Sequence, residues 1–516
     1  MVALNLLIAT WGSPWADPCR PREGLSWGEV TYVGISGKEV RSRTTLPLLL
    51  EELSPEGVLI LACDTVACCS DLREGEGYGD LREAVRRKYV GFIKDILSAE
   101  GLSDCVSRVE VAVVPCLGRF RNGEFDVEVS DTRLWILYEL MNFLVSKGIK
   151  GGGGGEELNI YLDLTHGPNY VPTITYSALR SLLHHVAFSN LRVRLRVLNT
   201  DPYVRGVTDK LRVNVVEDTE IQKLTEWQPT ESDSKLGFKS RQASAGIPAD
   251  INKKLEQVNR SIEPKEAGKV INDLTLLYAS VHLGLPLLTL EALSRVSYER
   301  VRKTLKELFN THLSQCFTAE ASGEGNQCKL IVKEIITIRS PKLTEFTIKA
   351  ATLLAALEKS VRQHTTKREG PTLRELGKVR EAIAWNEVIN LVISNELHKI
   401  KEVICEYILT KSMEGEDKAN ISKEHIEKCV GTLKQLEKGA PLADIIKELG
   451  REVGSFNPRN FLAHAGLEYN TIKAETHATL KYREEYMKEI IKTVKNAIKL
   501  GQNKQPQTRN HPTNPH

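Results

Sequence analysis

An arginine and a histidine lie five residues apart in the segment NPRNFLAHAGLEY, residues 457–469. Histidine exchanges protons near neutral pH, and a guanidinium binds phosphate oxygens through charge-assisted hydrogen bonds. Arg459 and His464 therefore suit a metal-free reaction in which the 2′-hydroxyl of RNA attacks the neighbouring phosphorus, because that reaction needs a proton carrier and a fixed cation. The alternative is a structural helix with a surface arginine and a hydrogen-bonded histidine, since about one Arg-x4-His pair is expected by chance among 12 histidines.

The same segment predicts a helix whose first turn carries the arginine. Asn457 is a favourable N-cap, and Pro458 is favourable at the first helical position. An offset of five residues places Arg459 and His464 about 140° apart around a helix axis. The apolar residues that can be buried between them are Phe461, Leu462, Ala465 and Leu467. This geometry suits a seam between helices, where a two-fold dimer would bring two copies together, and a helix start also attracts phosphate.

Polar residues also follow three strands of the predicted N-terminal part. The first strand leads into TWGSPW, residues 10–15, a later strand into CDT, residues 63–65, and another into DLTHGPN, residues 163–169. Ligands of doubly wound α/β sheets bind beyond the carboxyl ends of the strands, so these loops form a second candidate site. Thr165 and His166 can donate hydrogen bonds to phosphate oxygens. The alternative is that each loop is only a turn and that His166 only caps the next helix.

Glycine and tryptophan residues in these loops favour a nucleotide-like anion as the ligand. Gly12 and Gly167 allow backbone N–H groups to approach a ligand closely, and the helix start predicted after Asn169 favours a negative charge. Trp11 or Trp15 offers a face on which a base could stack. The chain has neither a GxGxxG nor a GxxxxGK[ST] motif, which disfavours a dinucleotide enzyme or an ordinary ATPase.

Length and composition bound the organisation of the protein. A chain of 516 residues is too long for one ordinary core, so two or three domains are expected. A net charge of +3 does not by itself indicate nucleic-acid binding, although it allows a local basic groove. The apolar start MVALNLLIAT predicts a first strand and not a signal peptide. No apolar run approaches the roughly 20 residues that cross a bilayer.

The ten cysteines show no zinc-finger spacing, because Cys68 and Cys69 are adjacent. We expect buried or free thiols in a reducing cytoplasm. Cys316 and Cys328 flank a glycine-rich turn and could be bridged, which would be unusual outside hyperthermophiles. No metal site is predicted.

Hydrophobic periodicity divides the chain into an α/β part and a helical part. Residues 1–218 alternate Val/Ile/Leu-rich strands with amphipathic helices, which predicts a mainly parallel sheet covered on both faces. The glycine run at 151–155 indicates a loop. Residues 219–265 are polar and irregular and predict a linker. Most of the later chain has helical periodicity, interrupted by a hairpin-like segment at 315–335.

Three short motifs carry a resemblance to a known family. LIATWGSP near the N-terminus, DLTHGPN after a late strand and RNFLAH near the C-terminus resemble, in this order, the motifs of the CARF–HEPN ribonucleases of type III CRISPR systems. The resemblance implies a Rossmann-like (CARF) domain that forms a homodimer and binds a cyclic oligoadenylate, often cyclic tetra-adenylate, in its two-fold groove as an allosteric activator. It also implies an all-α HEPN domain that cuts single-stranded RNA with neither metal nor cofactor. We therefore expect a cytoplasmic endoribonuclease of antiviral defence, a homodimer or an oligomer of dimers, with no membrane partner.

On this interpretation the chain has five parts. They are a Rossmann-like CARF ligand-sensing domain (1–218), a linker (219–265), a helix-turn-helix-like and hairpin connecting region (266–345), a HEPN ribonuclease domain (346–500) and a disordered tail (501–516). The fold class is thus an α/β domain followed by an all-α domain, with a helical and hairpin insertion between them.

The motifs also imply which residues form the sites. The residues expected to bind the cyclic oligoadenylate are Thr10, Trp11, Gly12, Ser13, Pro14, Thr165, His166, Gly167, Pro168 and Asn169. Asp64 and Thr65 join them by the strand-end argument alone. The catalytic residues implied are Arg459, His464 and Asn460, the last because many family members carry a polar residue after the arginine.

A basic helix suggests a rival function. Residues 289–310 have the spacing of a helix-turn-helix, and its second helix carries Arg300, Arg302, Lys303 and Lys306. CARF domains also occur fused to DNA-binding helices, so a ligand-gated transcriptional regulator is the alternative. Two simpler alternatives are a solvated basic helix face and a scaffold that only binds the messenger. About 190 further residues of helical chain follow the motif, which a regulator would not need.

Overall fold

A computed structural model describes residues 3–20, 24–150, 157–168, 170–204, 207–226, 235–241, 248–262, 264–323, 328–361, 370–412, 421–432, 440–452, 454–475 and 479–502. The chain divides into two compact units. The first unit comprises Met1–Leu224, Thr230–Ile271 and Ser297–Ser360, and the second comprises Thr225–Pro229, Asn272–Val296 and Val361–His516. The predicted glycine loop at 151–155 and the predicted tail from 503 onward lie outside the described residues.

A mainly parallel sheet forms the core of the first unit. The strands of this unit are β1 (Ala3–Trp11), β2 (Val30–Val33), β3 (Glu39–Ser42), β4 (Gly57–Cys63), β5 (Val109–Val114), β6 (Gly118–Phe120), β7 (Gly123–Asp126), β8 (Glu157–His166), β9 (Arg192–Thr200), β10 (Lys210–Ile221), β11 (Phe238–Ser240), β12 (Phe317–Ser322), β13 (Lys329–Glu334) and β14 (Ile336–Ile338). Eight of them form a sheet in the order β3-β2-β10-β9-β8-β1-β4-β5. Neighbours from β9 to β5 are parallel, and β10 runs antiparallel to β9. Every residue of β4 is buried, as expected for a strand covered on both faces, which confirms the predicted α/β fold.

Helices of the first unit cover the sheet and include one that the sequence assigned elsewhere. The helices up to residue 360 are α1 (Leu46–Leu53), α2 (Tyr78–Ala99), α3 (Val129–Phe143), α4 (Val171–Val186), α5 (Ala249–Ser261), α6 (Pro264–His282), α7 (Pro286–Arg295), α8 (Tyr298–Gln315) and α9 (Pro341–Ser360). Helix α9 is apolar around most of its circumference, so it must be interior, and it packs against α3 and α4. Residues 346–360 therefore belong to the first unit and not to the predicted domain 346–500. Periodicity shows that a helix is buried but not which partner buries it.

The predicted linker 219–265 contains regular elements. Strand β10 continues to Ile221, β11 pairs antiparallel with β14, and α5 forms within the segment. The apolar residues of this helix recur at helical spacing, and Val258 and Ile262 are buried. Polar neighbours in the sequence obscured this amphipathic pattern, so the linker prediction was wrong for these residues.

The hairpin predicted at 315–335 is confirmed. Strands β12 and β13 pair antiparallel, with Phe317 opposite Glu334. They extend a four-stranded sheet in the order β12-β13-β7-β6, because β13 also pairs in parallel with β7. The hairpin is thus part of the first unit and not an independent insertion.

The second unit is mainly helical. In addition to α7 it contains α10 (Leu373–Ile383), α11 (Glu387–Ser412), α12 (Lys423–Thr432), α13 (Leu442–Glu448), α14 (Pro458–Ala463) and α15 (Met487–Gln502). It also contains β15 (Ala440–Pro441), β16 (Ile472–Glu475) and β17 (Thr479–Tyr482), which form a small antiparallel sheet that the all-α prediction lacked. Strands this short show too little alternation to be recognised in a sequence. In the part of the chain that the structure describes, no helix is both long and apolar enough to cross a membrane.

Disulfides correct the expectation of unbridged thiols. The pairs among the described residues are Cys19–Cys68, Cys69–Cys328 and Cys405–Cys429. Cys316, the expected partner of Cys328, is a buried free thiol. Cys69 and Cys328 are 259 residues apart in sequence, so only the fold brings them within bonding distance.

Candidate functional site

The ends of two neighbouring strands and residues between 26 and 32 form a pocket in the first unit. Strands β9, β8 and β1 are adjacent and parallel, so their last residues meet at one edge of the sheet. The pocket encloses about 470 Å³. Trp27 and Tyr32 line one side, the segment 165–167 at the end of β8 lines another, and the segment 199–203 at the end of β9 completes it. This volume and the mixture of aromatic and polar groups suit part of a nucleotide.

The two tryptophans expected to stack with a base are buried instead. Trp11 is 1% exposed and packs edge-on against Trp27 and Phe92, with ring centroids 5.5 and 6.1 Å away. Trp15 is buried in the same aromatic cluster. Trp27 is only partly buried, and its ring lies 4.3 Å from the His166 ring at an interplanar angle of 31°. The stacking surface of the pocket is therefore Trp27, a residue that the sequence prediction missed.

The loops after β1 and β8 lie against each other, as predicted. The Gly12 N–H donates to the His166 carbonyl oxygen at 2.7 Å. A Cβ at Gly167 would lie 2.4 Å from Thr10 Oγ1 and 2.4 Å from Pro172 Cγ, so only glycine fits there. Thr10 is fully buried, and its hydroxyl has no hydrogen-bond partner among the described residues.

The remaining residues of these two loops do not line the pocket. Ser13 Oγ donates to the Trp15 carbonyl oxygen at 3.0 Å, and the Pro14 carbonyl oxygen accepts from the Ser26 N–H at 2.8 Å. The Pro168 carbonyl oxygen accepts from the backbone at the start of α4. Ser13, Pro14 and Pro168 thus shape the loops without facing the pocket, and Asn169 lies outside the described residues.

Thr165 and His166 line the pocket, but both are already hydrogen-bonded. Thr165 Oγ1 donates to Asp163 Oδ1 at 2.6 Å. The Thr45 N–H donates to His166 Nε2 at 3.4 Å, so the neutral ring carries its proton on Nδ1. Burial lowers the pKa of His166 to about 4, although nearby Asp163 opposes the shift. His166 is therefore a neutral donor at pH 7 and not a cationic contact for phosphate.

Asp64 and Thr65 do not line the pocket, so the strand-end argument was wrong for them. Asp64 is fully buried and accepts hydrogen bonds from the Tyr78 hydroxyl at 2.7 Å and the Cys116 N–H at 2.9 Å. Burial raises the pKa of Asp64 to about 7, although these hydrogen bonds oppose the shift. The carbonyl oxygen of Thr65 accepts from Asn122. The end of a strand determines where a loop begins but not the direction in which its side chains point.

The end of β9 supplies pocket residues that the sequence analysis missed. Thr200 ends the strand, and Asp201, Pro202 and Tyr203 follow it into the pocket wall. Tyr203 is 44% exposed, and its hydroxyl lies close to Gly28, 2.4 Å from where a Cβ of that residue would be. The strand-end rule applies to LNTDPY as it does to DLTHGPN, so the sequence carried this signal.

In the second unit, the segment that carries Arg459 and His464 forms a short helix that ends before the histidine. Asn457 Oδ1 accepts from the Arg459 N–H at 2.9 Å, which confirms the predicted N-cap. Helix α14 then ends at Ala463, and His464 is the C-cap. Ala465 and Gly466 follow with φ of 51° and 71°, a left-handed turn that ends the helix. The predicted separation of 140° on one continuous helix is therefore wrong, and a helix of six residues does not support the predicted phosphate site at its start.

A buried carboxylate from α11 holds the histidine. Nδ1 of His464 lies 3.1 Å from Glu396 Oε2, and the Glu396 side chain is 8% exposed. The other oxygen of Glu396 pairs with Lys399 Nζ at 2.7 Å. A carboxylate only accepts hydrogen bonds, so Nδ1 carries the proton and Nε2 keeps its lone pair. The imidazole is 41% exposed, so a substrate can reach it.

Glu396 was absent from the predicted site, although the sequence contains a signal for it. It lies three residues after Ile393 and four before Ile400, both of which are fully buried. It therefore falls on the apolar stripe of α11. An acidic residue on an apolar stripe is rarely buried without a partner, and here His464 and Lys399 are the partners.

Arg459 and Asn460 are exposed on α14, beside the histidine. Within the described part of the chain, neither side chain makes an ion pair or a hydrogen bond. Phe461, the next residue, is fully buried and anchors the turn. One short turn thus presents a guanidinium, an amide and an oriented imidazole to solvent. This set can bind a phosphate group and transfer a proton beside it.

Two family models match this chain, one in each part of it. Residues 6–202 match the model described as CRISPR system endoribonuclease Csx1, CARF domain, and residues 386–484 match the model of the HEPN domain of the same protein. The CRISPR system endoribonuclease Csx1 of Methanocaldococcus jannaschii is 25% identical over 515 residues, which cover 96% of this chain and 93% of that protein. The chain belongs to the CARF–HEPN ribonuclease family of CRISPR systems. The pocket at the strand ends lies mostly in the CARF match, and Arg459, His464 and Glu396 all lie in the HEPN match.

The first unit, which contains the CARF match, also holds a buried group of residues of metal-binding type. Ligand atoms of Asp131, His312 and Glu334 lie within 4.8 Å of one another. Trp135 Nε1 donates to His312 Nδ1 at 3.1 Å, so the proton of His312 is on Nε2, which donates to Glu334 Oε1 at 2.8 Å. A protonated Nε2 has no lone pair for a metal. The group is therefore a hydrogen-bond network that joins α3, α8 and β13, in which burial raises the pKa of Glu334 to about 7.

The basic face of α8 that suggested a DNA-binding regulator is balanced by acidic residues. Arg300 pairs with Glu266, and Arg302 pairs with Glu299 at 3.0 Å. The boundary between the two compact units falls between α7 and α8, so the predicted helix-turn-helix at 289–310 is divided between them. These pairs neutralise two of the four cations, and Lys303 lies 4.0 Å from Glu307, which reduces the positive surface that DNA binding requires.

Proposed function

We propose that this CARF–HEPN protein is a metal-independent endoribonuclease that cuts single-stranded RNA when its CARF domain binds a cyclic oligoadenylate, cyclic tetra-adenylate in particular. The observation that carries the proposal is the contact of His464 with buried Glu396, beside the exposed Arg459. Membership of the family supports a messenger as the ligand and RNA as the substrate. The proposed enzyme is a homodimer that acts in the cytoplasm.

The side chains of the HEPN site provide what transesterification of RNA requires. Nε2 of His464 accepts the proton of the 2′-hydroxyl as that oxygen attacks the phosphorus. Arg459 stabilises the charge that develops on the non-bridging oxygens, and Asn460 adds a neutral donor. The bond to the 5′-oxygen breaks, and that oxygen takes a proton from Nε2 of the second His464 of the dimer, which acts in its doubly protonated imidazolium form. The products are a 2′,3′-cyclic phosphate and a 5′-hydroxyl.

The CARF pocket supplies groups that suit adenosine and phosphate. Trp27 presents an aromatic ring for adenine, and Gly167 in the pocket wall lies against the buried Thr10 side chain. In a two-fold dimer the pocket occurs twice, which matches a ring built from repeated adenosines. The ligand activates cleavage only if it binds the active arrangement of the dimer more tightly than the inactive one. Allosteric coupling is this difference in affinity between the two arrangements.

A cleavage assay tests the proposal directly. Purified protein is mixed with a fluorescent single-stranded RNA, with and without cyclic tetra-adenylate, in the presence of EDTA. We expect cleavage only with the ligand, unaffected by EDTA, with 2′,3′-cyclic phosphate ends, and loss of cleavage in His464→Ala. His425→Ala is the matched control, because His425 is an exposed histidine on α12 of the same unit.

The outcomes separate the parts of the proposal. Cleavage that EDTA abolishes contradicts metal independence, and cleavage that His464→Ala retains contradicts the catalytic assignment. If the ligand changes the affinity for duplex DNA and no RNA is cut, the protein is a regulator. That result is not favoured by the paired basic residues of α8.

A further inference from the structure

Two helices of the second unit enclose a groove with no role in the mechanism above. Helix α10 contributes Arg374, Lys378 and Arg380, and α11 contributes Ser394 and Lys401. The groove encloses about 420 Å³. Residues spaced three, four and seven apart lie on one face of a helix, so each helix turns one face towards the groove.

The groove carries an excess of positive charge. Its cations are Arg374, Lys378, Arg380 and Lys401, and its one carboxylate is Glu381. A groove of about 610 Å³ in the first unit is different because its arginines face glutamates. There Arg82 pairs with Glu139 at 3.0 Å and Arg302 with Glu299 at 3.0 Å. The α10–α11 groove therefore combines a cavity with four cations and one carboxylate.

Two of the four cations are available to a ligand. Arg374 and Lys401 make no ion pair or hydrogen bond within the described ranges. Arg380 already has a hydrogen-bond partner, because its Nη1 donates to Ser394 Oγ at 3.0 Å across the groove. The span from Ser394 to Lys401 is about 10 Å along the helix axis. At about 3.4 Å per nucleotide in a stacked strand, this length matches about three phosphates.

We propose that the α10–α11 groove binds the phosphate backbone of the single-stranded RNA substrate; this inference rests on the proposed function. Helix α11 also carries Glu396, which precedes the groove residue Leu397, so the helix that orients His464 also lines the groove. No Phe, Tyr or Trp side chain lines the groove, and the one ring that does is the exposed imidazole of His398. The groove therefore contributes affinity that depends on charge and not on base sequence.

The test is the salt dependence of RNA binding by the full-length chain. Arg374→Gln and Lys401→Gln are combined, and binding of a fluorescent 12-mer RNA is measured in a His464→Ala background to prevent cleavage. Loss of two phosphate contacts should lower the log–log salt slope by about 1.4, which is about 25-fold in affinity near 0.1 M salt. A DNA oligonucleotide of the same length should show the same loss, because the proposed contacts are to phosphate.

A matched control removes the same charge elsewhere in the second unit. Lys492 and Lys495 are exposed on α15, and their double glutamine variant should leave the slope and the affinity unchanged. In the wild-type background, the groove variant should raise KM and leave kcat unchanged, with the same thermal unfolding midpoint.

Two results would overturn the inference in distinguishable ways. If the wild type binds and cuts RNA but the groove variant behaves as the Lys492/Lys495 control does, the groove does not bind RNA, whether it binds an acidic peptide or only water. If the wild type neither binds nor cuts RNA with cyclic tetra-adenylate present, the proposed function fails and the groove assignment fails with it.

Discussion

Replacing Glu396 with glutamine should reverse the proton pattern of His464 while preserving side-chain volume. One oxygen of Glu396 pairs with Lys399 Nζ at 2.7 Å, and the other faces His464 Nδ1 at 3.1 Å. Glutamine has one oxygen and one NH₂ group, and an ammonium group cannot accept a hydrogen bond. The amide oxygen should therefore turn towards Lys399 and the NH₂ towards His464. Nδ1 then becomes an acceptor, and the ring proton moves to Nε2.

The expected fall in kcat follows from the loss of the hydrogen bond between Glu396 and His464 Nδ1. An Nε2 that carries the proton cannot accept another from the 2′-hydroxyl, so the reaction proceeds only from the tautomer that the Glu396→Gln substitution disfavours. A hydrogen bond to a charged group contributes about 1.5–3 kcal/mol. At about 1.4 kcal/mol per tenfold change in rate, kcat should fall by about 10- to 150-fold. KM should change little, because phosphate binding by Arg459 is untouched.

Single-turnover cleavage at saturating RNA and cyclic tetra-adenylate measures the change in rate. Imidazole ¹⁵N shifts of labelled protein show directly which nitrogen of His464 carries the proton, and a purely structural role for Glu396 would not reverse that pattern. The His464 signals are identified by their absence in His464→Ala.

A second substitution, Lys399→Met, tests the tautomer of His464 even if the Glu396→Gln variant is inactive. Lys399→Met in the Glu396→Gln chain removes the ammonium, so the amide oxygen can turn to His464 and restore the original tautomer and most of the rate. Lys399→Met alone should have little effect, because its side chain is 51% exposed and such ion pairs contribute about 1 kcal/mol or less. Glu396 does not set the tautomer of His464 if Glu396→Gln cuts RNA at the wild-type rate, or if the double variant recovers neither the original tautomer nor the rate.

Three further predictions concern the first unit. Trp27→Ala should weaken cyclic tetra-adenylate binding in calorimetry by about 1–3 kcal/mol, the contribution of one stacked base, and an unchanged Kd would exclude stacking there. The pKa of Asp64 is raised from 3.8 to about 7, so the folded state holds its proton more tightly and wild-type stability should fall by about 3 kcal/mol as pH rises from 4 to 7. Asp64→Asn should remove this slope in urea unfolding measured across that pH range, and an equal slope in both proteins would contradict the buried environment. Replacing Cys69 and Cys328 together with serine should lower the free energy of unfolding by about 2–4 kcal/mol, whereas equal urea midpoints under non-reducing conditions would show that the bridge does not form.

Local sequence patterns predicted the structure correctly at positions where neighbouring residues in the chain determine it. Apolar runs such as GVLILAC predicted buried parallel strands, and Asn457 predicted the cap of α14 correctly. Gly167 was predicted to let a ligand approach the backbone closely, whereas the structure shows that a Cβ there would meet Thr10 of the neighbouring loop. These features depend on a few consecutive residues, so propensity and steric limits specify them.

Side-chain direction was not predictable in the same way. Trp11, Trp15 and Asp64 all follow or end strands at the expected edge, yet each is buried in the interior. Trp27 and Tyr203 occupy the pocket instead, because the packing of the aromatic cluster decides which ring faces the opening. The strand-end rule identifies the edge of the sheet but not which residues are exposed there.

The sequence by itself determined the fold class, the edge of the sheet where a ligand pocket forms, and the arginine and histidine that carry the proposed chemistry. Only the tertiary structure decided that Glu396 orients His464, that Cys69 bonds to Cys328, and that α9 belongs to the first unit. The physical reason is that these three results join residues far apart in the chain. Periodicity and local propensity describe one segment at a time, whereas such contacts are chosen by packing over the whole unit.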